Sequence, residues 1–222
     1  MPRPPRAHEA SAIYHALNRG NARKTVFFKD ADYEAFERYL EKTLETRPMR
    51  ICGYCLMPNH WHLLLWPEND GDLGAFMQKL TITHARNWQE YRKKVGTGHV
   101  YQGRYKSFPV ESDDYFYQVA RYVERNALTA NLVKQAQDYR WGSLYNWLGG
   151  FSPIELATWP VRRLPNWTKR VNMAINKKEQ DALTRSVTRG VPLGTEQWTA
   201  STVKRLGLES TIRPRGRPKK FT

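Results

Sequence analysis

Pro58-Asn59-His60-Trp61-His62-Leu63-Leu64-Leu65-Trp66 reads as a turn followed by a strongly apolar strand that carries two histidines one residue apart. Side chains alternate along a strand, so His60 and His62 share one face while Trp61 takes the other. Two imidazoles side by side among Leu and Trp cost free energy unless something satisfies them. A divalent metal would do so. Trp61 is then the apolar spacer that packs into the core behind the pair.

Outward from this strand, residues 50–57 form its partner, joined through Pro58-Asn59. Upstream, Ala12-Ile13-Tyr14-His15-Ala16-Leu17-Asn18 has strand character and leads into a basic, turn-forming loop, Arg19-Gly20-Asn21-Ala22-Arg23-Lys24. Asp30 offers an N-cap for a helix with Tyr33, Phe36, Tyr39, Leu40 and Leu44 at helical spacing, stopped near Pro48. A second helix is predicted over 72–94, with an apolar stripe of Leu73, Phe76, Met77, Leu80, Ala85 and Trp88. A strand over 104–111 follows, and Ser112 caps a third helix through Leu128, with Asp113 and Asp114 as favourable N-terminal charges.

This order predicts an α+β fold: a largely antiparallel sheet with helices on one face, of the split βαβ, ferredoxin-like kind. RNA-recognition modules share that architecture, so function must come from motifs rather than fold.

A chain of 222 residues with 40% hydrophobic content supports one packed domain, placed at 1–150, and a basic extension at 151–222. The formal charge is +15, of which +10 lies in residues 151–222. That balance points to a polyanionic partner and away from an acidic small-molecule enzyme. No run approaches the roughly 20 apolar residues of a membrane span, and the start of the chain lacks a signal-peptide apolar region, so a cytoplasmic, nucleoid-associated protein is expected. The two cysteines, Cys52 and Cys55, fall on a strand rather than at a helix N-terminus, which predicts buried, reduced thiols instead of a redox pair.

On the third helix, Tyr115, Val119, Tyr122, Val123 and Asn126 occupy one face. Tyr122 and Asn126 stand four residues apart, a phenol and a carboxamide one turn from each other. Packed over the histidine strand, that face would bring two imidazoles, an amide and a phenol together. Tyr101, Tyr105, Tyr115 and Tyr117 remain rival nucleophiles, but only Tyr122 has an amide four residues later on the same face. A zinc hydrolase would need a third strong ligand, for which His84 and His99 are the candidates.

These residues resemble the HUH single-strand endonucleases. More narrowly, the chain resembles the single-tyrosine transposases of the IS200/IS605 type and the REP-associated tyrosine transposases. The resemblance lies in 14–20 (YHALNRG), 57–64 (MPNHWHLL), 115–128 with Tyr122-Val123-Glu124-Arg125-Asn126, and 139–145 (YRWGSLY). It implies that His60, His62 and Asn126 hold one Mg²⁺ or Mn²⁺ and that Tyr122 attacks a phosphodiester, leaving a 5′-phosphotyrosine and a free 3′-hydroxyl. It also implies single-stranded or hairpin DNA as substrate. Insertion-sequence relatives commonly carry Gln where this chain has Asn126. They act as dimers with shared sites, whereas the basic extension here favours a monomer.

Candidate phosphate contacts around the site are Arg19, Arg23, Lys24, Arg104, Lys106, Arg121 and Arg125. The tail, residues 213–220, resembles an AT-hook: Arg213, Arg215, Arg217, Lys219 and Lys220 surround Gly216, whose missing side chain permits close approach to a narrow A·T-rich minor groove. Upstream, 195–208 reads as a short amphipathic helix ended at Gly207. The leading expectation is a metal-dependent transposase that cuts and rejoins single-stranded DNA at palindromic repeats. The alternatives are a non-catalytic DNA-binding regulator on the same fold and an RNA-binding module, the latter leaving the histidines unexplained.

Overall fold

The computed structural model describes residues 9–10, 12–112 and 114–213. Asp113 and the tail residues Arg215, Gly216, Arg217, Lys219 and Lys220 lie outside them. The elements are β1 (Ile13–Arg19), α1 (Asp30–Thr46), β2 (Arg50–Met57), β3 (His60–Trp66), α2 (Asp72–Tyr91), β4 (Lys106–Val110), α3 (Asp114–Glu124) and α4 (Asn126–Thr129). Short helices follow: α5 (Ser143–Trp147), α6 (Trp167–Asn172), α7 (Lys177–Arg189), α8 (Glu196–Arg205) and α9 (Glu209–Ile212).

Local chemistry explains where these elements begin and end. Asp32, rather than Asp30, closes the start of α1: its Oδ2 accepts the backbone N–H groups of Phe28 (2.7 Å) and Lys29 (3.2 Å). A carboxylate in the first turn can reach back to donors that lack helical partners. Helix α2 stops three residues earlier than its pattern suggests, because Lys93 turns left-handed at φ 52° ahead of Gly96. The third helix is interrupted at Arg125, yet the bonds Arg125 N–H to Arg121 O and Thr129 N–H to Arg125 O carry its axis onward into α4. Tyr122 and Asn126 therefore remain one turn apart. Thr195 caps α8 by accepting from Trp198 N–H, and Gly207 sits at φ 64° just after it.

The sheet order is β2-β3-β1-β4, antiparallel throughout, the arrangement of a split βαβ fold. One bulge matters: Cys52 is the extra residue between the Ile51–Leu65 and Gly53–Leu64 pairs. Beyond it, Cys55 opposes His62 and Met57 opposes His60. From β1, His15, Leu17 and Arg19 take that same face, opposite Leu64, His62 and His60.

Both faces are covered, which refines the expectation of helices on one face. Helices α1 and α2 lie on the Trp61 face, where Phe36 meets Trp61 with ring centroids 5.9 Å apart. Helix α3 crosses the other face, placing Tyr122 against His62 and His15. The reason is in the strands: β2 and β3 are buried almost end to end, so each face carries apolar area that must be removed from water.

The sheet edges are also closed. Leu193 pairs with β4 through Leu193 N–H to Pro109 O and Glu111 N–H to Leu193 O. On the other edge, Leu56 N–H donates to Trp141 O and Ala157 N–H to Ile51 O. Covering edges this way removes unpaired strand groups from solvent. Ile154, Trp159, Trp167, Leu183, Leu193, Val203 and Leu208 join the same buried cluster as the sheet. Both cysteines are free and buried, and burial pushes each thiol up to about 12. Among the described residues no helix is long and apolar enough to cross a membrane.

Candidate functional site

Strand β3 presents His60 and His62 toward α3. His62 is buried, at 1% exposure, whereas His60 at the end of the strand is only partly covered. Their rings stand nearly perpendicular, with centroids 4.9 Å apart. Asn59 Oδ1 lies 2.6 Å from His60 Nδ1, so the turn residue before the strand fixes that ring and leaves its Nε2 for another partner. On the neighbouring strand, His15 Nε2 lies 2.8 Å from His62 Nδ1. His62 Nε2 points the other way, 3.2 Å from the Asn126 amide nitrogen.

Asn126 joins the cluster together. Its amide lies 3.2 Å from His62 Nε2, and the same amide pulls the His60 pKa up and the Tyr122 pKa down against the larger influence of burial. A half-turn of the carboxamide exchanges its oxygen and nitrogen, so the same side chain can present a hard oxygen donor. The Tyr122 ring stands edge-on to His62 at 5.5 Å and to His15 at 6.0 Å. Opposite His60, Arg19 completes the group, its Nε buried with no hydrogen-bond partner among the described residues.

Electrostatics keep the imidazoles neutral. Burial, with the Arg19 charge second, lowers His60 to about 4. Burial followed by the neighbouring His60, His15 and Arg19 holds His62 well below the ordinary histidine range. Neutral imidazoles are the ligand form. Tyr122 is raised by burial, against the opposing influence of the Asn126 hydrogen bond and the Arg19 charge. Two neutral imidazoles and an amide oxygen fit a divalent cation that also takes substrate or water oxygens. Among the described residues no three His, Cys, Asp or Glu side chains form a metal cluster, so any ion here would lean on oxygens brought by a ligand.

Two of the rival tyrosines and both alternative histidines lie elsewhere. Tyr101 lies on the opposite face, its hydroxyl bonded to Trp61 Nε1 (2.9 Å) and His84 Nδ1 (2.6 Å). That contact also removes His84 from the histidine pair, and His99 is exposed beside Arg104 along a separate groove. Tyr117 donates to Arg162 O at 2.6 Å.

The basic residues divide into two kinds. Arg23 and Lys24 sit exposed in a tight loop held to the β2–β3 turn by Gly20 N–H to Asn59 O and by Asn59 Nδ2–H to Arg23 O (3.2 Å). Ala22 and Arg23 adopt left-handed backbone there, at φ 52° and 61°. Such conformations are uncommon in non-glycine residues and concentrate at functional sites. Arg104 and Lys106 are exposed, and Lys106 opposes Leu17 on the histidine face.

Arg125, expected at phosphate, instead gives its guanidinium to the carbonyls of Val171 (3.0 Å) and Asn172 (2.6 Å). Arg121 similarly binds Met173 O and Ala174 O and pairs with Glu179. Between them, buried Glu124 accepts from Ser143 Oγ and Trp167 Nε1 and meets Arg163. These contacts fasten the turn that carries Tyr122 to residues 163–174. Arg213 is exposed at the end of the described chain, its carbonyl accepting from Arg189.

His15 is the site residue that sequence reasoning missed. A lone histidine in an apolar strand is ordinarily a core residue, and only the β1–β3 register shows that it backs His62.

The architecture is shared with a solved transposase. A REP associated tyrosine transposase bound to a REP hairpin matches with a TM-score of 0.57 at 15% identity, over 72% of this chain and 96% of that one. That likeness is one of fold. A candidate transposase from Deinococcus radiodurans has a TM-score of 0.39 at 19% identity, over 56% of this chain and 96% of that one, too slight to carry weight. Among curated proteins no relative is found. The chain belongs to the IS200-like transposases, a family of DNA-processing enzymes: the family described as "Transposase IS200 like" matches residues 9–126, just over half of the 222. That span contains His15, His60, His62, Tyr122 and Asn126.

Proposed function

We propose that this transposase is a metal-dependent endonuclease and strand transferase acting on single-stranded, hairpin-forming repeat DNA, with Tyr122 as its nucleophile. The observation that carries this reading is the cluster around His62: Asn126 lies 3.2 Å from its Nε2, and the His60 and Tyr122 rings stand edge-on to it at 4.9 and 5.5 Å. His60, His62 and Asn126 would hold Mg²⁺ or Mn²⁺, which when bound polarises a phosphate oxygen and offsets transition-state charge.

Tyr122 Oη attacks phosphorus and forms the phosphotyrosine bond on the 5′ side. The phosphorus–O3′ bond breaks, and the departing 3′-oxygen takes a proton as the phenol gives one to water. Because the phosphoester bond is stored on the protein, rejoining needs no external energy source. A buried phenol resists ionisation, so the tyrosine relies on neighbours that favour its anion. The Asn126 amide and the Arg19 charge both favour the phenolate, and Arg19 would also meet an incoming phosphate.

Arg23, Lys24, Arg104 and Lys106 would track the backbone leading to the site, while the 213–220 tail adds A·T minor-groove contacts. Nucleophile and ligand residues meet within one chain, which supports a monomer as the active unit. Residues 1–150 would carry the reacting groups and 151–222 the added DNA affinity, with residues 163–174 also bracing the turn that carries Tyr122.

The test is incubation of a labelled hairpin oligonucleotide with protein and Mn²⁺, resolved on a denaturing gel. A covalent protein–DNA band that disappears with chelator is the expected result. DNA binding without any adduct, across hairpin sequences and metals, would instead identify a DNA-binding regulator.

A further inference from the structure

His15 has no place in the chemistry above, yet it is fully buried, and among the described residues its one close polar contact is with a histidine of the site. Its Nε2 stands 2.8 Å from His62 Nδ1, and its own Nδ1 is buried with no partner among the described residues. A neutral imidazole carries one N–H, so the direction of this bond decides which His62 nitrogen is bare. If His15 donated, His62 would carry its hydrogen on Nε2 and present no lone pair there.

We infer that His15 is a positioning residue: its Nε2 accepts the Nδ1–H of His62 and so holds the His62 Nε2 lone pair toward His60 and Asn126. One contact is compatible with this direction and two hold the pair in place. The Asn126 amide lies 3.2 Å from His62 Nε2, and with its nitrogen on that side it donates to a bare Nε2. The two histidine rings are nearly parallel, with an interplanar angle of 19° and centroids 5.0 Å apart, so neither can swing without displacing the other. Phe108 and Tyr122 flank His15 at 4.9 and 6.0 Å, which closes off alternative rotamers. The arrangement leaves the His15 Nδ1 hydrogen unpaired in the interior, the kind of exception that calls for a functional reason. Ligating histidines in general donate their second nitrogen to an outer partner, ordinarily a carboxylate, carbonyl or water. Here a second imidazole takes that role.

This inference rests on reading His62 as a metal ligand, so its test separates the two. Long-range ¹H–¹⁵N NMR on metal-free protein reports the His62 tautomer directly, and Mn²⁺ titration reports affinity. Wild-type protein is expected to show His62 protonated on Nδ1. His15→Gln, whose amide oxygen can stand where Nε2 does, should keep that tautomer and bind Mn²⁺ within a few-fold of wild type. His15→Leu should shift His62 toward the Nε2–H form and weaken Mn²⁺ binding by roughly 10- to 100-fold. His62 protonated on Nε2 in wild type, or an unchanged tautomer in His15→Leu, would overturn the role of His15. Should His15→Leu fail to fold, the wild-type and His15→Gln spectra decide alone. Absence of Mn²⁺ binding in wild type with His62 on Nδ1 would sink the metal reading and leave His15 as the residue that sets the tautomer.

Discussion

The two faces of strand β3 both bury histidine, and they put it to different use. On the Trp61 face, His84 is lowered to about 3 by burial, and its Nδ1 accepts from the Tyr101 hydroxyl, which in turn accepts from Trp61 Nε1–H. That chain ends inside the core. On the opposite face His15 is lowered equally, to about 3, and burial again dominates. There, however, the polar atoms run outward through His62 to Asn126, Tyr122, His60 and Arg19. A perturbed pKa is common to both faces and identifies neither as a site. What separates them is convergence on groups that reach the surface.

The comparison breaks most sharply at the proposed catalytic end. Tyr122→Phe should lower hairpin cleavage by on the order of 10³-fold or more, and His60→Ala or His62→Ala by roughly 10²-fold or more, with folding intact by circular dichroism. On the other face, Tyr101→Phe leaves Trp61 Nε1 and His84 Nδ1 buried without their partner. It should lower unfolding free energy by about 1–3 kcal/mol in urea titrations while cleavage at permissive temperature stays within about two-fold. Loss of cleavage in a folded Tyr101→Phe protein would erase the distinction between the faces.

The cations offer a finer test. Arg19 borders the site, whereas Arg125 is occupied by the carbonyls of Val171 and Asn172. Arg19→Ala should reduce the salt dependence of hairpin binding by about one phosphate contact, and Arg125→Ala should leave that slope unchanged while lowering stability.

The smallest effect concerns Glu37, far from the site. Burial raises its carboxyl to about 7, opposed by hydrogen bonds from Ser152 and Tyr54. Against an ordinary value near 4.5, the unfolded chain releases this proton first as pH rises. Stability is therefore lost between about pH 4.5 and 7 and levels off above that window. Glu37→Gln should remove the dependence, raising the melting temperature at pH 8 by about 2–6 °C with little change near pH 4.5.

Much of this was legible in the sequence because the relevant patterns are local. Alternation alone puts His60 and His62 on one face, and helical spacing alone puts Tyr122 one turn from Asn126 even though the helix breaks at Arg125. What could not be read depends on register between distant segments. The backing of His62 by His15 needs the β1–β3 alignment. The capture of Arg121 and Arg125 needs residues 171–174, which no periodicity links to α3. The coverage of both sheet faces was implicit in strands buried on each side, but an apolar run does not say which helix covers which face.

The most direct measurement of the central claim is mass spectrometry of the trapped covalent complex. Trypsin cleaves after Arg121 and Arg125, so residue 122 falls in a peptide of its own, apart from Tyr115 and Tyr117. The expected result is a nucleotide mass on the 122–125 peptide, lost in Tyr122→Phe. An adduct on any other tyrosine, or one that persists in Tyr122→Phe, would contradict the assignment of the nucleophile.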